Sequence, residues 1–407
     1  MRPLRSVAEP GWRSRDVWGI AGSAFFADLG YQAILAVFPL YLVLHLGAPI
    51  WLYGLSQALA YGPGALFGYL GGVLGDRYGR WRMAILGNAF LPLMALAGLT
   101  SVPALAVGLL VVGWWARNFR SPPRRAMLAE SVAPAHRGEA FGFLHALDVG
   151  GGMIAAIYSF FLLLGGIDYA TLLLLTIPPL VVSTLVLAFV RSGRPRPRTD
   201  PPLGSAAPAA PSPTIGSARA RGIFWGVMAA TVLFGFASFS IGFPVLTTAQ
   251  GVQNAAWGIL VFVVALGVSS AVGLFVGRVR SRRVLALALL GYLVAGAGSF
   301  LFALAAGLHE PLVVYLVAAA ILGAALGTVE TFEPTLIAAI SPPEKTAQRL
   351  GSLTAFRSVG LFASNVILGF LFLANPWIPY VYAGGAALAA TVVLVVVATR
   401  VGTGGDL

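Results

Sequence analysis

Long apolar runs separated by short polar turns dominate the chain. Each run holds about 20 or more residues with few charges, enough for an α-helix to cross the hydrocarbon core of a bilayer. We predict twelve such spans, at roughly 18–45, 50–75, 82–101, 103–130, 138–165, 168–190, 222–247, 255–278, 283–307, 311–338, 346–373 and 376–399. Spanning strands would have to close into a barrel, and the alternation typical of barrel strands is absent. The predicted fold class is all-α and membrane-embedded.

The composition agrees with a chain that lies mostly in lipid. Hydrophobic residues make up 58% of the 407 positions and charged residues 10%, whereas a soluble domain carries about 25% charged residues. The chain has no cysteine, which excludes disulfides and thiolate metal sites. Residues 1–17 are polar and basic and the first apolar run is too long for a signal-peptide core, so we expect no cleavable signal.

The basic residues indicate topology rather than nucleic-acid binding. The net charge is +12, but the basic residues outside the spans all fall on one side of the predicted membrane. These residues are Arg2, Arg5, Arg13, Arg15, Arg77, Arg80, Arg82, Arg124, Arg125, Arg137, those of 191–221, Arg278, Arg280, Arg282, Arg283, Lys345, Arg349 and Arg400. No Lys or Arg occurs in the opposite turns, at 46–50, 101–103, 165–168, 248–254, 308–311 and 374–376. Basic loops stay in the cytoplasm, so both termini are predicted there, and no nucleic acid is expected as a partner.

Residues 191–221 divide the chain into two halves. They are rich in Pro, Ala, Ser and Arg and lack an apolar period, which is typical of a linker. We therefore predict a six-helix bundle at 1–190, a cytoplasmic linker, and a second six-helix bundle at 222–407. A tether with weak attraction to lipid is the favoured interpretation of the linker, and a regulatory site is the alternative.

The two halves resemble repeats of one another at an offset of 209 residues. Pro134 corresponds to Pro343 at this offset, and Gly142 corresponds to Gly351. Internal similarity of this kind predicts that each half is one structural unit.

A burst of charge and glycine between the second and third spans is the most informative motif. It reads Gly72-x-x-x-Asp76-Arg77-x-Gly79-Arg80-x-Arg82. In a chain of twelve predicted spans with a central linker, this motif resembles the signature loop of the major facilitator superfamily of secondary transporters. The segment from Arg120 to Glu130, followed by His136-Arg137-Gly138, is similar to the region between the fourth and fifth spans of bacterial and archaeal members.

The resemblance covers essentially the full chain and implies an architecture. Members have two six-helix bundles related by an axis along the membrane normal, with the substrate site near mid-depth and alternating access to it. The resemblance also implies that the first, fourth, seventh and tenth spans line a central cavity.

The signature turn also has a direct physical interpretation. Gly72 permits close approach of helix backbones, and Gly79 permits a tight turn. Asp76, Arg77 and Arg80 are expected to form a charged cluster at the membrane surface. We predict a conformational latch that holds the halves in one state and releases them in the other; a topological anchor of basic residues is the alternative.

Ionisable residues far from any turn are the main site candidates, because a charge at mid-bilayer costs at least a few kcal/mol. The predicted proton-coupling residues are Asp28, Glu330, Glu333 and Asp148. The predicted substrate-binding residues are Arg117, Arg120, Tyr31, Gln32, Phe236, Ser240 and Arg357. At the repeat offset Arg124 overlays Glu333 and Asp148 overlays Arg357, so opposite charges occupy corresponding positions and suggest a paired polar centre. Static ion pairs that fix helix packing are the alternative interpretation.

These expectations combine into a prediction of function. We expect a secondary transporter that moves a small organic solute by alternating access, with proton-coupled export as the first choice. Proton-coupled uptake or facilitated transport of an organic anion bound by an intramembrane arginine is the second choice, and a non-transporting receptor or sensor is the alternative of another class. No nucleotide loop, Ser/His/Asp set or zinc spacing occurs in a polar turn, so no enzyme activity, cofactor or metal is expected. We expect a monomer in the plasma membrane, with protons and lipids as partners beside the solute.

Overall fold

The computed structural model describes residues 13–133, 136–191, 217–276, 284–341 and 346–401. Within these ranges the chain is helical and forms no β-strand. Three sequence predictions fall partly outside the described residues: most of the linker, the basic turn at 277–283, and the proline pair Pro134 and Pro343.

The helices of the first half follow the predicted spans. Their bounds are α1 (Arg15–Leu40), α2 (Ile50–Tyr61), α3 (Gly64–Tyr78), α4 (Arg80–Ala89), α5 (Pro103–Glu130), α6 (Arg137–Leu164), α7 (Tyr169–Leu174) and α8 (Ile177–Ala188). A π-helical turn at Tyr41–His45 continues α1, and a 3₁₀ segment at Leu91–Leu99 follows α4.

The second half repeats this succession of long helices. Their bounds are α9 (Ser217–Ala237), α10 (Gly242–Gly251), α11 (Ala255–Val276), α12 (Val284–Ala286), α13 (Val294–Leu308), α14 (Leu312–Ala339), α15 (Thr346–Ala374) and α16 (Ile378–Val401). A π-helical segment at Leu287–Leu293 joins α12 to α13.

Ten helical spans of the described residues are long and apolar enough to cross a membrane. The two remaining predicted spans, 50–75 and 103–130, are helical as well. The first of them is divided into α2 and α3, and the second, α5, contains a run of arginines that lowers its hydropathy. The all-α, membrane-embedded fold class is confirmed.

Two predicted spans contain a break in the helix. Between α2 and α3 the chain passes through Gly62 and Pro63, and proline cannot donate the backbone hydrogen bond that would continue the helix. Between α9 and α10 the residues 238–241 are not helical. By contrast, α5 remains continuous through Pro122 and Pro123. Non-helical backbone at membrane depth is tolerated only where it is buried in protein or lines a cavity, so the second break has a bearing on the site.

The chain separates into two compact units. The first comprises Met1–Phe38 with Pro63–Pro197, and the second comprises Pro39–Gly62 with Arg198–Leu407. The segment Pro39–Gly62 therefore packs with the second unit although it precedes most of the first in sequence. Within the second unit α2 lies against α15, where the ring of Trp51 stacks on that of Phe370 with centroids 6.0 Å apart.

Glycines set the closest helix contacts inside the first unit. A Cβ on Gly71 of α3 would lie 1.9 Å from the carbonyl oxygen of Phe119 on α5. A Cβ on Gly151 of α6 would lie 2.4 Å from the carbonyl oxygen of Phe25 on α1. Membrane helices approach this closely where a small residue removes the side chain. A Cβ on Gly72 would have its nearest neighbour at 3.7 Å, so the tightest contact is one residue before the predicted glycine.

Candidate functional site

Asp28 is a buried carboxylate on α1 of the first unit. It is 3% exposed, and Tyr31, one helical turn later, donates its hydroxyl hydrogen to Oδ1. Gln32 Nε2 lies 3.4 Å from the same oxygen, as the i, i+3 and i, i+4 spacing predicts. Oδ2 is buried and has no hydrogen-bond partner among the described residues, and within the same ranges Asp28 forms no ion pair.

Arg117 lies against the aromatic partner of Asp28. Its guanidinium carbon is 4.9 Å from the centroid of the Trp114 ring and 5.4 Å from that of Tyr31. One terminal nitrogen of Arg117 is 3.5 Å from the Tyr31 hydroxyl oxygen. Tyr31 thus connects the carboxylate of Asp28 to the cation of Arg117, which brings three predicted site residues together.

Arg120 is held by an amide that the sequence analysis missed. Arg120 is 1% exposed and donates to Oδ1 of Asn88 at 2.7 Å. Asn88 in turn donates to Ser183 and Thr184, both at 2.9 Å. Nε of Arg120 is buried without a partner in the described part of the chain. An uncharged asparagine inside an apolar run gives no strong sequence signal, so only the fold identified Asn88.

Arg124 and Asp148 form the ion pair of the first unit. Nitrogen and carboxylate oxygen are 3.5 Å apart, and the Arg124 side chain is 5% exposed. Two further nitrogens of Arg124, Nε and one terminal amine, are buried without partners among the described residues. With Arg117 and Arg120, three guanidinium groups stand against the two carboxylates Asp28 and Asp148, so this network carries an excess of positive charge.

The second unit holds a network with the opposite excess. Arg357 on α15 donates to Glu330 and to Glu333, both on α14. The Glu333 side chain is fully buried, whereas that of Glu330 is 56% exposed. Tyr292 donates its hydroxyl hydrogen to Glu333, and the Thr231 hydroxyl lies 3.4 Å from the same carboxylate. The sequence analysis identified the charged members and missed the two hydroxyl partners.

Ser240 belongs to a separate polar cluster in the second unit. Its hydroxyl donates to Gln57 Oε1 at 3.1 Å and lies 2.7 Å from the Tyr53 hydroxyl oxygen. Its backbone N–H donates to Asn365 at 3.1 Å, which satisfies one of the donors freed by the helix break. Phe236, the other candidate on α9, accepts through its carbonyl oxygen from Ser364 at 2.8 Å.

A cavity of about 610 Å³ lies beside the break between α9 and α10, and we call it the helix-break cavity. Residues of α11, α13 and α14 form its other walls, and all of its lining belongs to the second unit. The lining residues are Phe234, Ala237, Ser238, Phe239, Ile241, Ala265, Ala295, Ser299, Leu322, Gly323, Ala325 and Leu326. Phe236 and Ser240 are not among them.

The signature turn forms a charged cluster within the first unit. Arg80 donates to Asp76 at 2.8 and 3.0 Å and also to Glu130 at the end of α5. Gly79 has a φ of 102°, a conformation that favours glycine, so the tight turn that was expected there is observed. Arg77 lies outside this cluster, with its guanidinium carbon 5.2 Å from the centroid of the Tyr78 ring.

The family comparison agrees with this turn and with the helical fold. The family model for the Major Facilitator Superfamily matches residues 20–333. The chain belongs to the major facilitator superfamily. No curated protein matches it.

Solved structures of transporters share the fold of this superfamily member. The nucleoside transporter NupG aligns with a TM-score of 0.73 and 11% identity, covering 94% of this chain and 99% of that one. The peptide transporter POT gives a TM-score of 0.72 and 15% identity over 95% of this chain and 94% of that one. The xylose transporter XylE from E. coli gives 0.66 and 16% over 93% and 94%. At such identities the likeness shows the fold alone.

Membership in the major facilitator superfamily makes this protein a multi-pass membrane transporter of small molecules rather than an enzyme. Its candidate residues form an arginine-rich network in the first unit and, in the second, a carboxylate-rich network with an uncharged cavity. A carboxylate can bind or release a proton, a guanidinium group can bind an anion, and an apolar cavity can hold a hydrophobic group.

Proposed function

We propose that the protein is a proton-coupled antiporter that exports a small organic solute, with Asp28 as the carboxylate that carries the proton. Burial of Asp28 without an ion pair in the described ranges is the observation that supports this role. An isolated buried carboxylate is costly when charged, and proton binding removes that cost. Asp28 therefore has a strong physical reason to exchange a proton when its access to water changes.

The other three predicted coupling carboxylates have arginine partners. Asp148 pairs with Arg124, and both Glu330 and Glu333 pair with Arg357. An ion-paired carboxylate is already compensated, so its proton exchange requires the pair to separate first. This difference favours Asp28 as the primary coupling residue and Glu333, which is fully buried, as the second.

Export is the direction that the uncharged helix-break cavity supports. Solutes with large apolar groups partition into lipid and enter a cell without help, so energy is needed only to move them out. We place the protein in the plasma membrane as a monomer with both termini in the cytoplasm, because the basic residues lie on that side of the predicted topology.

Transport assays in proteoliposomes test the coupling. The protein is reconstituted and supplied with radiolabelled neutral, cationic and anionic aromatic solutes, with and without a pH gradient. We expect D28N to retain exchange of solute across the membrane and to lose accumulation driven by the gradient. Glu139→Gln removes an exposed carboxylate of the same unit and serves as the control. Unchanged accumulation in D28N contradicts the proposal, and flux of no solute at all favours the sensor alternative.

A second candidate function, uptake of an organic anion, is favoured by the excess of guanidinium groups in the first unit. Nε of Arg120 and two nitrogens of Arg124 are buried without described partners and are therefore available donors. The variant Asn88→Asp places a carboxylate where Asn88 now accepts from Arg120. For anion uptake we expect this variant to lose anion flux, because an internal carboxylate replaces the substrate as counter-ion. Export of a neutral solute would be little affected.

A further inference from the structure

We propose that the helix-break cavity binds an uncharged aryl or alkyl group that carries a hydrogen-bond-accepting oxygen, as part of the transported solute. This inference rests on the proposed function, since it names the chemical class of the solute. It assigns a site inside the second unit that neither the charged networks nor the Ser240 cluster includes.

The charge and size of the cavity define the class of its occupant. None of its lining residues is charged, and most are Ala, Phe, Leu, Ile or Gly. A charged group there would lose its hydration without finding a counter-ion, at a cost of several kcal/mol. A volume of about 610 Å³ falls within the range of about 300–1,000 Å³ that is typical of sites for small organic ligands.

The polar groups of the cavity select an acceptor on the occupant. The hydroxyls of Ser238 and Ser299 already donate to the carbonyl oxygens of Phe234 and Ala295, at 2.8 and 2.9 Å. At the helix break, the backbone N–H groups of Phe239 and Ile241 donate to no group of the described residues. Unpaired backbone donors at membrane depth are costly, so an occupant that supplies an oxygen is favoured over a pure hydrocarbon.

One wall of the cavity is connected to the carboxylate network. Phe234 stacks on Tyr292 with ring centroids 4.2 Å apart and planes 6° apart, and Tyr292 donates to Glu333. An occupant that presses on Phe234 therefore acts on a ring whose hydroxyl hydrogen-bonds a buried carboxylate. This contact gives the cavity a direct structural route to Glu333.

Labelling of a single introduced thiol tests binding without requiring transport. Because the natural chain has no cysteine, Ser299→Cys carries the sole thiol, and Ala297→Cys places one on the exposed side of the same helix. Both variants are reacted in proteoliposomes with benzyl methanethiosulfonate, with and without 2-naphthol. At a 2-naphthol concentration about ten times its dissociation constant, we expect labelling of Ser299→Cys to slow about tenfold. Labelling of Ala297→Cys should not change.

Two further arms separate specific binding from general partitioning into lipid. Adding Ala295→Leu to Ser299→Cys fills part of the cavity and should abolish protection, whereas adding the lipid-side change Ala297→Leu should leave it intact. The charged analogue 2-naphthalenesulfonate should not protect. Absence of protection at Ser299→Cys, or equal slowing at both thiols, overturns the proposal. Protection in a protein that shows no pH-driven flux would support the site and contradict the proposed antiport.

Discussion

Arg124 and Asp148 form an ion pair at 3.5 Å, and the residues 209 positions later form an ion pair with the charges exchanged. The first pair joins α5 to α6, and the second, Glu333 with Arg357, joins α14 to α15. Exchange of the two signs keeps the attraction and reverses the charge on each helix. The paired polar centre suggested by the sequence repeat is thus formed separately within each unit.

Charge exchange within the first unit should be tolerated when both partners change. Asp148→Arg alone places two guanidinium groups together, and addition of Arg124→Asp restores an attractive pair. Breaking a buried ion pair costs about 3–5 kcal/mol, and because the Asp148 side chain is 24% exposed we expect the lower end of that range for the single variant. Thermal unfolding in detergent measures the loss and its recovery. A double variant no more stable than Asp148→Arg would contradict the prediction.

Arg357 should not be replaceable by lysine, because it donates to two carboxylates at once. A lysine lacks the planar fork that reaches both groups, so Arg357→Lys should leave one of them without its partner. We expect a loss of about 1–3 kcal/mol, the usual cost of an unsatisfied buried polar group, and a larger loss for Arg357→Gln. Arg349→Lys on the same helix is the control, because Arg349 binds only a backbone carbonyl and an aromatic face. Equal melting temperatures for both lysine variants would refute this reasoning.

Alanine at Gly71 should destabilise the first unit, whereas alanine at Gly72 should not. A Cβ on Gly71 would lie 1.9 Å from the Phe119 carbonyl oxygen, and one on Gly72 would have no neighbour closer than 3.7 Å. Overpacking of this kind costs about 1–3 kcal/mol, since α3 and α5 must separate. Adjacent variants with the same added methyl group make a matched pair in a melting experiment. The idea fails if Gly72→Ala is the more destabilised of the two.

The latch and anchor interpretations of the signature turn predict different results for Asp76→Asn. Asp76 is exposed, and exposed ion pairs contribute about 0–1 kcal/mol, so we expect little change in melting temperature. If the cluster with Arg80 is a latch, the rate of solute exchange should nevertheless change. Glu139→Gln removes a comparable exposed carboxylate near the start of α6 and should leave exchange unaltered. Normal exchange by Asp76→Asn would favour the topological anchor.

Charged site residues were predictable from the sequence, and their uncharged partners were not. Asp28 and Arg120 stand out because charges are rare within apolar spans. Asn88, Tyr292 and Thr231 occur in the same spans without a distinguishing period, and their roles depend on which helices lie beside them.

Long-range contacts explain the remaining omissions. Ser240 bonds to Gln57, which is 183 residues away in sequence, and no local pattern contains that relationship. The helix-break cavity likewise depends on the packing of α9 and α10 against α11, α13 and α14. The sequence indicated aromatic and hydroxyl residues in this part of the chain but named Phe236, whereas Phe234 and Phe239 line the cavity.

The sequence by itself determined the all-helical membrane fold, the ranges of the spans, the signature turn and the family resemblance. These features depend on hydropathy and on residues close together in the chain, and lipid enforces them because each span must satisfy its own backbone hydrogen bonds. Tertiary structure decided which carboxylates have arginine partners, where the helix break leaves a cavity, and that Pro39–Gly62 packs with the second unit. Those outcomes depend on which helix faces meet, and in lipid that choice is made by close packing and a few polar contacts rather than by hydrophobicity.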